Sequence, residues 1–341
     1  MRIALAQVAP VLGRPDLNLA THIAWLRDAR AGGADLVVFP ELGLTGYLLQ
    51  DLAADVAMAI DDPRIAALAA ETVGLSAVVS FVEESSDHRL FVAAALIEDG
   101  RLRHVHRKLF LPTYGLFDEA RFFAAGDHAR AVPSRLGVGV GLAVCEDFWH
   151  LAVPQVLALD GAEILINVSS SPGRDVRAGG ELGLATPSVW RPLIRTYARL
   201  TTSFVVFCNR VGVDEGVSFF GGSEVIGPDG AAVLSAPLWD EGLFVVDVDL
   251  RDIRRARMAA PLLREERLEW HARELQRIVA ERAGIAAPAF AGEAGSSTGG
   301  PIGLRSPAAA DAPAADDAHA DGAPATAAPA DAPSRSGIPV R

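Results

Sequence analysis

Cys145 stands where an apolar run stops. Val138 to Val144 is built of valine, glycine, leucine and alanine, and Glu146-Asp147-Phe148-Trp149 follows at once. The run is too short for a buried helix, and its valines favour a buried strand. Beyond it, Phe148, Leu151, Ala152, Val156 and Leu159 recur near helical spacing, which predicts a helix from Asp147 to about Asp160. The thiol then sits at a strand-to-helix turn. Its side chain is exposed at a sheet end, near backbone N–H groups of the helix that follows. That is a working position for a nucleophile. Cys208 differs: it lies inside Val205-Val-Phe-Cys-Asn209, a second buried-strand run, and reads as a small core hydrophobe.

A thiol attacks only as thiolate, or with a base ready to take its proton. Two residues at other strand ends answer that need. Leu36-Val-Val-Phe39 is a buried strand stopped by Pro40, and Glu41 stands at its end. Lys108 closes one arm of a hairpin. Composition singles it out, because the chain has thirty arginines and this one lysine. A lone ammonium in an arginine-biased chain suggests a task for a compact charge whose pKa can shift. Glu146 and Asp147, if close, would oppose thiol ionisation; Lys108 can offset them and Glu41 can act as base. A Cys–His pair is the competing arrangement. His150 follows Cys145 too closely to face it from a helix, and His104, His106 and His128 lie in or after the hairpin. No His/Cys/Asp cluster has metal-ligand spacing, so neither a metal nor another cofactor is expected.

The elements that must hold these residues follow in order. Arg2 to Val8 reads as a strand. Asp16 can cap a helix with Leu19, Ile23, Leu26 and Ala29 on one face, ended by Gly32-Gly33. After the Glu41 loop, Asp62-Pro63 starts a helix to about Val73, and Ala77 to Val82 is a strand. Leu90 to Glu98 and Leu102 to His106 pair through Asp99-Gly100, a hairpin signal. Glu163 to Val168 and Phe204 to Asn209 are strands, separated by a helix from about Pro187 to Leu200. Gly221 to Ile226 and the runs after Pro228-Asp-Gly230 make antiparallel sheet, and a charged helix runs from Leu263 to about Ala283. Alternating strands and helices, then hairpins, predict an α/β protein of mixed sheets packed face to face with helices outside.

The chain has 341 residues, half of them hydrophobic, and a formal charge of −12. That suits one core of roughly 200–280 residues plus extras. The acidic balance argues against nucleic acid or an anionic membrane as partner. Two cysteines make no disulfide scaffold, and neither a membrane span nor a signal peptide is apparent, so a cytoplasmic location is expected. From about Ile285 the composition turns to Ala, Pro, Asp, Gly and Ser, which predicts a disordered tail over 285–341. Gly295-Ser-Ser-Thr-Gly299 formally matches a serine-hydrolase elbow but lacks the flanking strand and helix. Gly137-Val-Gly-Val-Gly141 lacks dinucleotide-loop spacing, and the Asn167-Val-Ser169 sequon has no secretory context.

Three stretches carry a specific resemblance. Pro40-Glu41-Leu-Gly-Leu-Thr-Gly-Tyr47, Arg107-Lys108-Leu-Phe-Leu-Pro112 and Val144-Cys145-Glu-Asp147 resemble, in order, the three catalytic motifs of the nitrilase superfamily of carbon–nitrogen hydrolases. The likeness covers roughly residues 1–265. Tyr114-Gly-Leu-Phe-Asp-Glu119, Cys145-Glu-Asp-Phe-Trp149 and Asn209-Arg-Val-Gly212 are further similar to the glutaminase domain of glutamine-dependent NAD synthetases. The resemblance does not extend to their ATP-dependent synthetase domain, for after a hydrolase domain of 1–265 the chain reads as a C-terminal helix, 266–284, and the tail.

The resemblance implies a four-layer α-β-β-α sandwich, a homodimer or higher homo-oligomer, and a small-molecule amide substrate. It implies that Cys145 attacks the amide carbon while Lys108 and the N–H after Cys145 stabilise the oxyanion. Glu41 then serves as acid and base, and Glu119 as the auxiliary glutamate that positions substrate. Tyr114 and Glu146 are implied pocket residues. Ser171 and Arg177 are further substrate-binding candidates, in a stretch after Ser171-Pro172 that departs from the family pattern. The expected activity is hydrolysis of a small amide or carbamoyl compound through a thioester. The alternatives are a glutaminase-like subunit supplying ammonia to a separate synthetase partner, and a nitrile hydrolase.

The lone lysine generates a test. A guanidinium is larger than an ammonium, planar, and spreads its charge over a fork. A displacement of about 1 Å at a reacting centre can cost on the order of 100-fold in rate. Lys108→Arg is therefore expected to lose activity nearly as badly as Lys108→Ala, with the fold intact by thermal melt. Retention of more than about a tenth of wild-type kcat/KM, roughly 1.4 kcal/mol of barrier, would make Lys108 a general positive charge only.

Overall fold

The computed structural model describes residues 1–173 and 185–284. Two six-stranded sheets form because successive residues of their strands turn to opposite faces, and both faces are covered. The first half of the chain gives β1 (Arg2–Gln7), β2 (Leu36–Val38), β3 (Ser76–Glu84), β4 (Leu90–Glu98) and β5 (Arg101–Arg107). The second gives β6 (Ala131–Pro133), β7 (Gly139–Val144), β8 (Ile164–Ser169) and β9 (Phe204–Asn209). A small hairpin, β10 (Val211–Asp214) and β11 (Val217–Phe220), precedes β12 (Glu224–Ile226), β13 (Ala232–Ser235) and β14 (Gly242–Asp247). The sheet orders are β14-β1-β2-β3-β4-β5 and β13-β12-β9-β8-β7-β6.

Alternation sorts the core into layers. Leu5, Val38, Val78 and Leu96 of one sheet meet Leu142, Val144, Ile166, Val206 and Cys208 of the other. The opposite face of the first sheet (Ala6, Val37, Val79, Ile97) packs on Leu26 and Ala29 of α1 (Pro15–Ala31). α2 (Ala53–Val56) is a single turn; α3 (Pro63–Ala70) adds Ile65 and Leu68 to that layer. On the other side, Ala143, Leu165, Val205 and Phe207 pack on α4 (Ala152–Leu159) and α5 (Ala185–Thr201) through Leu157, Trp190 and Ile194. The result is the expected α-β-β-α sandwich. Cys208 lies fully buried between the sheets with its Sγ 3.1 Å from the Val38 carbonyl oxygen, and burial holds its pKa far above the ordinary thiol value.

Several local expectations are corrected. Asp16 does not cap α1. Pro15, whose fixed φ and missing N–H suit the first helical position, starts the helix, so Asp16 falls inside the first turn. Asn18 ties down the preceding loop, accepting from Val11 N and donating to the Val11 and Leu44 carbonyls. The helix expected from Asp147 begins only at Ala152. A tight turn, Cys145–Trp149, comes first, and His150 is extended. Pro154 accounts for the late start: in the first turn its missing N–H costs nothing, whereas in a helix begun at Asp147 it would break an interior hydrogen bond.

A helix not expected from the sequence, α6 (Arg251–Ala259), comes first, and the charged helix expected from Leu263 to about Ala283 follows as two pieces, α7 (Leu262–Glu265) and α8 (Leu268–Arg282). Pro261 separates α6 from α7; nothing in the local sequence explains the extended Glu266 that ends α7. The chain divides into a unit Met1–Leu268, which holds both sheets, and a second starting at Glu269. In that second unit Arg277 pairs with Glu274 and Glu281 along α8 at 2.9 and 2.8 Å. The tail expected to be disordered, 285–341, lies outside the described residues. No described helix is long and apolar enough to cross a membrane.

β1, β2 and β3 run parallel, as do β7, β8 and β9, while β4 reverses and β5 turns back again. The C-terminal ends of β2, β5, β7 and β8 therefore open toward one another, and that edge carries Glu41, Lys108, Cys145 and Ser169–Ser171. The foot of β7 is set by close approach. A Cβ at Gly139 would lie 2.1 Å from the Gly161 carbonyl oxygen, while one at Gly141 would meet the side chains of Ala162 and Leu157 at 3.0 and 3.1 Å. Gly139→Ala should cost about 1–3 kcal/mol, as overpacking does. At roughly 2–4 °C per kcal/mol for a domain of this size, a thermal melt resolves it. Gly141→Ala should cost less, because its contacts at 3.0 and 3.1 Å overlap far less than the 2.1 Å approach at Gly139. A Gly139→Ala protein melting with wild type would contradict the packing.

Candidate active site

Cys145 follows β7 directly and sits at φ +43°, in the left-handed region that a non-glycine residue enters only under constraint. Asp147 supplies that constraint. It is fully buried and accepts from Val144 N at 2.9 Å, closing the turn around the cysteine. The same carboxylate accepts from Leu109 N at 2.9 Å, Phe110 N at 3.2 Å and His106 Nε2 at 2.8 Å. One side chain thus locks the residues on both sides of Lys108 to the turn that carries the thiol. Asp147 is spent on structure, with four donors on its two oxygens. The acids that oppose the thiolate most are Glu41 and Glu119, rather than the adjacent Glu146 and Asp147.

Lys108 is entirely buried. Its Nζ donates to Glu41 Oε1 and to Glu119 Oε1, both at 2.7 Å. Burial alone would lower its pKa, but Glu119, Glu41 and the Cys145 thiol outweigh burial and hold it above the usual lysine value. It stays an ammonium. Glu41 Oε2 accepts from Ser170 N at 2.7 Å, and Ser170 Oγ donates to the Glu41 carbonyl at 2.8 Å, so the carboxyl is fixed at both oxygens. Burial pushes the Glu41 pKa up to about 7; Lys108 pulls against it and Glu119 adds to it. Glu119 shares its Oε1 with the Tyr47 hydroxyl, and its buried Oε2 has no partner among the described residues.

Cys145 is partly open to solvent but enclosed by its neighbours. Burial is the largest cause of a thiol pKa well above the ordinary value, Glu41 raises it further, and Lys108 and a bond from Ser169 work against both. Ser169 Oγ donates to Sγ at 3.2 Å. The resting nucleophile is a thiol beside a poised carboxylate base. No histidine figures among the groups acting on it: His106 is bound to Asp147, and His150 stacks on Phe110 with ring centroids 3.5 Å apart.

The expected residues separate into groups. Glu41, Lys108, Cys145 and Glu119 come together. Tyr114 and Glu146 are joined beside them, the Tyr114 hydroxyl donating to Glu146 at 2.9 and 3.1 Å. Ser171 is buried and its hydroxyl accepts from Trp190 Nε1 at 2.8 Å, while its N–H donates to Asn209 Oδ1 at 2.8 Å. Its visible bonds hold the scaffold. Arg177 lies outside the described residues. Sequence reasoning missed Tyr47, Asp147, Ser169 and Ser170 as working parts. Tyr47 and Asp147 stood inside quoted motifs; the serines follow a strand end, as Glu41 and Lys108 do. A cavity of about 250 Å³ opens beside Glu119 and Tyr47, lined also by Gln50, Asp51, Phe117 and Arg121. No group of three His, Cys, Asp or Glu among the described residues could hold a metal.

Residues 2–258 match the family model described as carbon-nitrogen hydrolase. The chain belongs to that family. It is 32% identical over 267 residues to the glutamine-dependent NAD(+) synthetase of Thermotoga maritima, covering 76% of this chain and 44% of the relative. The chain spans less than half the length of the curated relatives it matches. Among solved structures, it is similar to a carbon-nitrogen hydrolase of Helicobacter pylori G27 (TM-score 0.73, 25% identity, 81% of this chain and 99% of that one). It is also similar to the NitN amidase of Nesterenkonia sp. AN1 (TM-score 0.65, 25% identity, 80% and 98%).

The raised Glu41 pKa predicts a pH profile. A base must be unprotonated to accept, so activity should be full above the Glu41 pKa and fall about tenfold per unit below it. The acid limb of kcat/KM should have its midpoint near pH 7, where Glu41 titrates. A profile flat from pH 5 to 8 on a turned-over substrate would remove Glu41 from the role of base.

Proposed function

We propose that this hydrolase cleaves the carbon–nitrogen bond of a small amide or carbamoyl compound through a thioester on Cys145. The observation that carries the reading is the Lys108 ammonium held at 2.7 Å by both Glu41 and Glu119, at the strand edge that presents a thiol. In the first half-reaction the Cys145 thiol gives its proton to Glu41 and Sγ attacks the carbonyl carbon. The oxyanion forms against the Lys108 ammonium and the Glu146 N–H. Collapse expels ammonia or amine, which takes the proton back from Glu41. Glu41 then draws a proton from water as it attacks the thioester, and the acid leaves with the thiol restored. Glu119 offers its unpartnered Oε2 to a substrate donor. An amide N–H fits that acceptor and a nitrile has none, which ranks nitrile hydrolysis below amide hydrolysis.

The chemistry is assigned to residues 1–265, with no cofactor, in a cytoplasmic homodimer or larger homo-oligomer. The helix over 266–284 and the tail from 285 are given no part in it. A second reading rests on the relatives. They are glutamine-dependent NAD(+) synthetases, and the chain matches less than half of each. In that reading the chain hydrolyses glutamine and supplies ammonia to a separate synthetase partner.

A panel of small primary amides, N-carbamoyl amino acids, glutamine and nitriles, assayed for ammonia release, separates the readings. Turnover should be greatest on an amide or carbamoyl compound. It should vanish in Cys145→Ala and persist in Cys208→Ala, and quenched wild-type enzyme should carry an acyl mass on Cys145. Glutamine turnover that rises when a synthetase is added would favour the second reading. Equal loss in both cysteine variants, with folding intact, would sink the thioester.

A further inference from the structure

Ser169 ends β8 fully buried, with its backbone oxygen bonded to Arg210 N at 3.1 Å. Its hydroxyl meets Cys145 Sγ at 3.2 Å, and no other partner for that hydroxyl is seen among the described residues. The next residue grips the base: Ser170 bonds Glu41 through its N–H at 2.7 Å and through its hydroxyl at 2.8 Å. The third, Ser171, is anchored to Asn209 and Trp190. The serine run therefore holds nucleophile and base at consecutive positions of one rigid strand end. A serine placed there for packing alone would bond backbone, as Ser80 does to the Ala93 carbonyl at 2.7 Å. Ser169 instead points its donor at the reacting atom.

We propose that Ser169 is a further catalytic residue, whose hydroxyl donates to the Cys145 sulfur and stabilises the thiolate produced when Glu41 takes the thiol proton. The inference rests on the thioester reading. In this step the S–H bond breaks, its proton goes to a Glu41 carboxylate oxygen, and the electron pair stays on sulfur. The Ser169 O–H bond remains intact and serves as donor. A hydrogen bond to the charged form favours that form, and a donor to an anion is worth more than one to a neutral acceptor. The bond should therefore tighten as charge forms on sulfur. It opposes the same two influences, burial and Glu41, that hold the thiol protonated at rest.

The test reads the thiol without a substrate. In the full-length Cys208→Ala chain, the rate of Cys145 alkylation by iodoacetamide is followed from pH 5 to 10 for wild-type Ser169, Ser169→Ala and Ser169→Thr. Ser169→Ala should slow alkylation about tenfold at each pH below the thiol pKa, the mark of a tenfold smaller thiolate fraction. On any turned-over substrate its kcat should fall about 10-fold or more, with KM changed less than threefold. Ser169→Thr keeps the hydroxyl and should restore both. Ser169→Ala removes one buried atom, and a thermal melt checks that the fold survives. An alanine variant with the wild-type alkylation profile overturns the proposal, and so does a threonine variant that folds yet matches alanine. Failure of the thioester reading looks different: Cys145→Ala would keep turnover, whatever the Ser169 profile.

Discussion

A buried ammonium between two buried carboxylates is the interaction on which this site depends. Lys108 is fully enclosed with Glu41 and Glu119 each 2.7 Å from Nζ. None of the three tolerates burial alone. Taking one partner out of such a group costs about 3–5 kcal/mol, because it leaves a charge without water or counter-ion. Each member comes from a different part of the first half of the chain: the end of β2, the end of β5 and the loop after it. The charge set can form only when those parts meet. In return it fixes a cation beside the thiol, whose charge opposes the rise in the thiol pKa. Tyr47 adds a hydroxyl to the Glu119 oxygen that Lys108 already uses, which leaves the second oxygen of Glu119 buried and unpartnered.

The second sheet brings the nucleophile to that cluster, and two devices set the distance. Asp147 binds Val144 N on its own turn and Leu109 N, Phe110 N and His106 Nε2 around Lys108. Four donors satisfy one carboxylate, so its burial carries no unmet cost. The β8 serines bind Sγ and Glu41 in succession. Both devices are hydrogen bonds to rigid strand ends, which hold geometry more tightly than loop packing does. The left-handed φ of Cys145 is the strain they sustain.

The reacting set was legible before any coordinates because its residue types are rare in their settings. Glu41 follows a buried strand where a charge has no packing reason to be, and Lys108, at the end of a hairpin arm, is the one lysine among thirty arginines. The sheets were legible through alternation and the Asp99-Gly100 turn. Helix boundaries were less so. Pro15 displaced Asp16 as the start of α1, and Pro154 delayed α4, in each case because proline's lost donor outweighs a side-chain cap or an apolar period. The part played by Asp147 was not legible at all. Its neighbours in space, His106, Leu109 and Phe110, lie far away in sequence, and no local pattern says which way an acid beside a nucleophile will turn. Ser169 and Ser170 were hidden for a related reason: serine after a strand reads as an ordinary loop residue until the opposite sheet is in place.

The protonation states of this cluster fit a reaction that moves charge without creating it. At rest the enclosed groups that titrate are an ammonium at Lys108, a carboxyl at Glu41 that titrates near 7, and a thiol. With Glu41 ionised, its negative charge faces the Lys108 ammonium. When the thiol proton passes to Glu41 and sulfur attacks, the negative charge leaves Glu41 and reappears on the oxyanion. The count is unchanged, and the ammonium that faced Glu41 faces the new anion. A site enclosed from water pays heavily for any net gain of charge. Keeping the sum constant is what allows the lysine, the base and the thiol to be buried together. A thiol already ionised at rest would have added a negative charge to the same enclosure, which is why burial and Glu41 hold it protonated until substrate supplies a place for the charge to go.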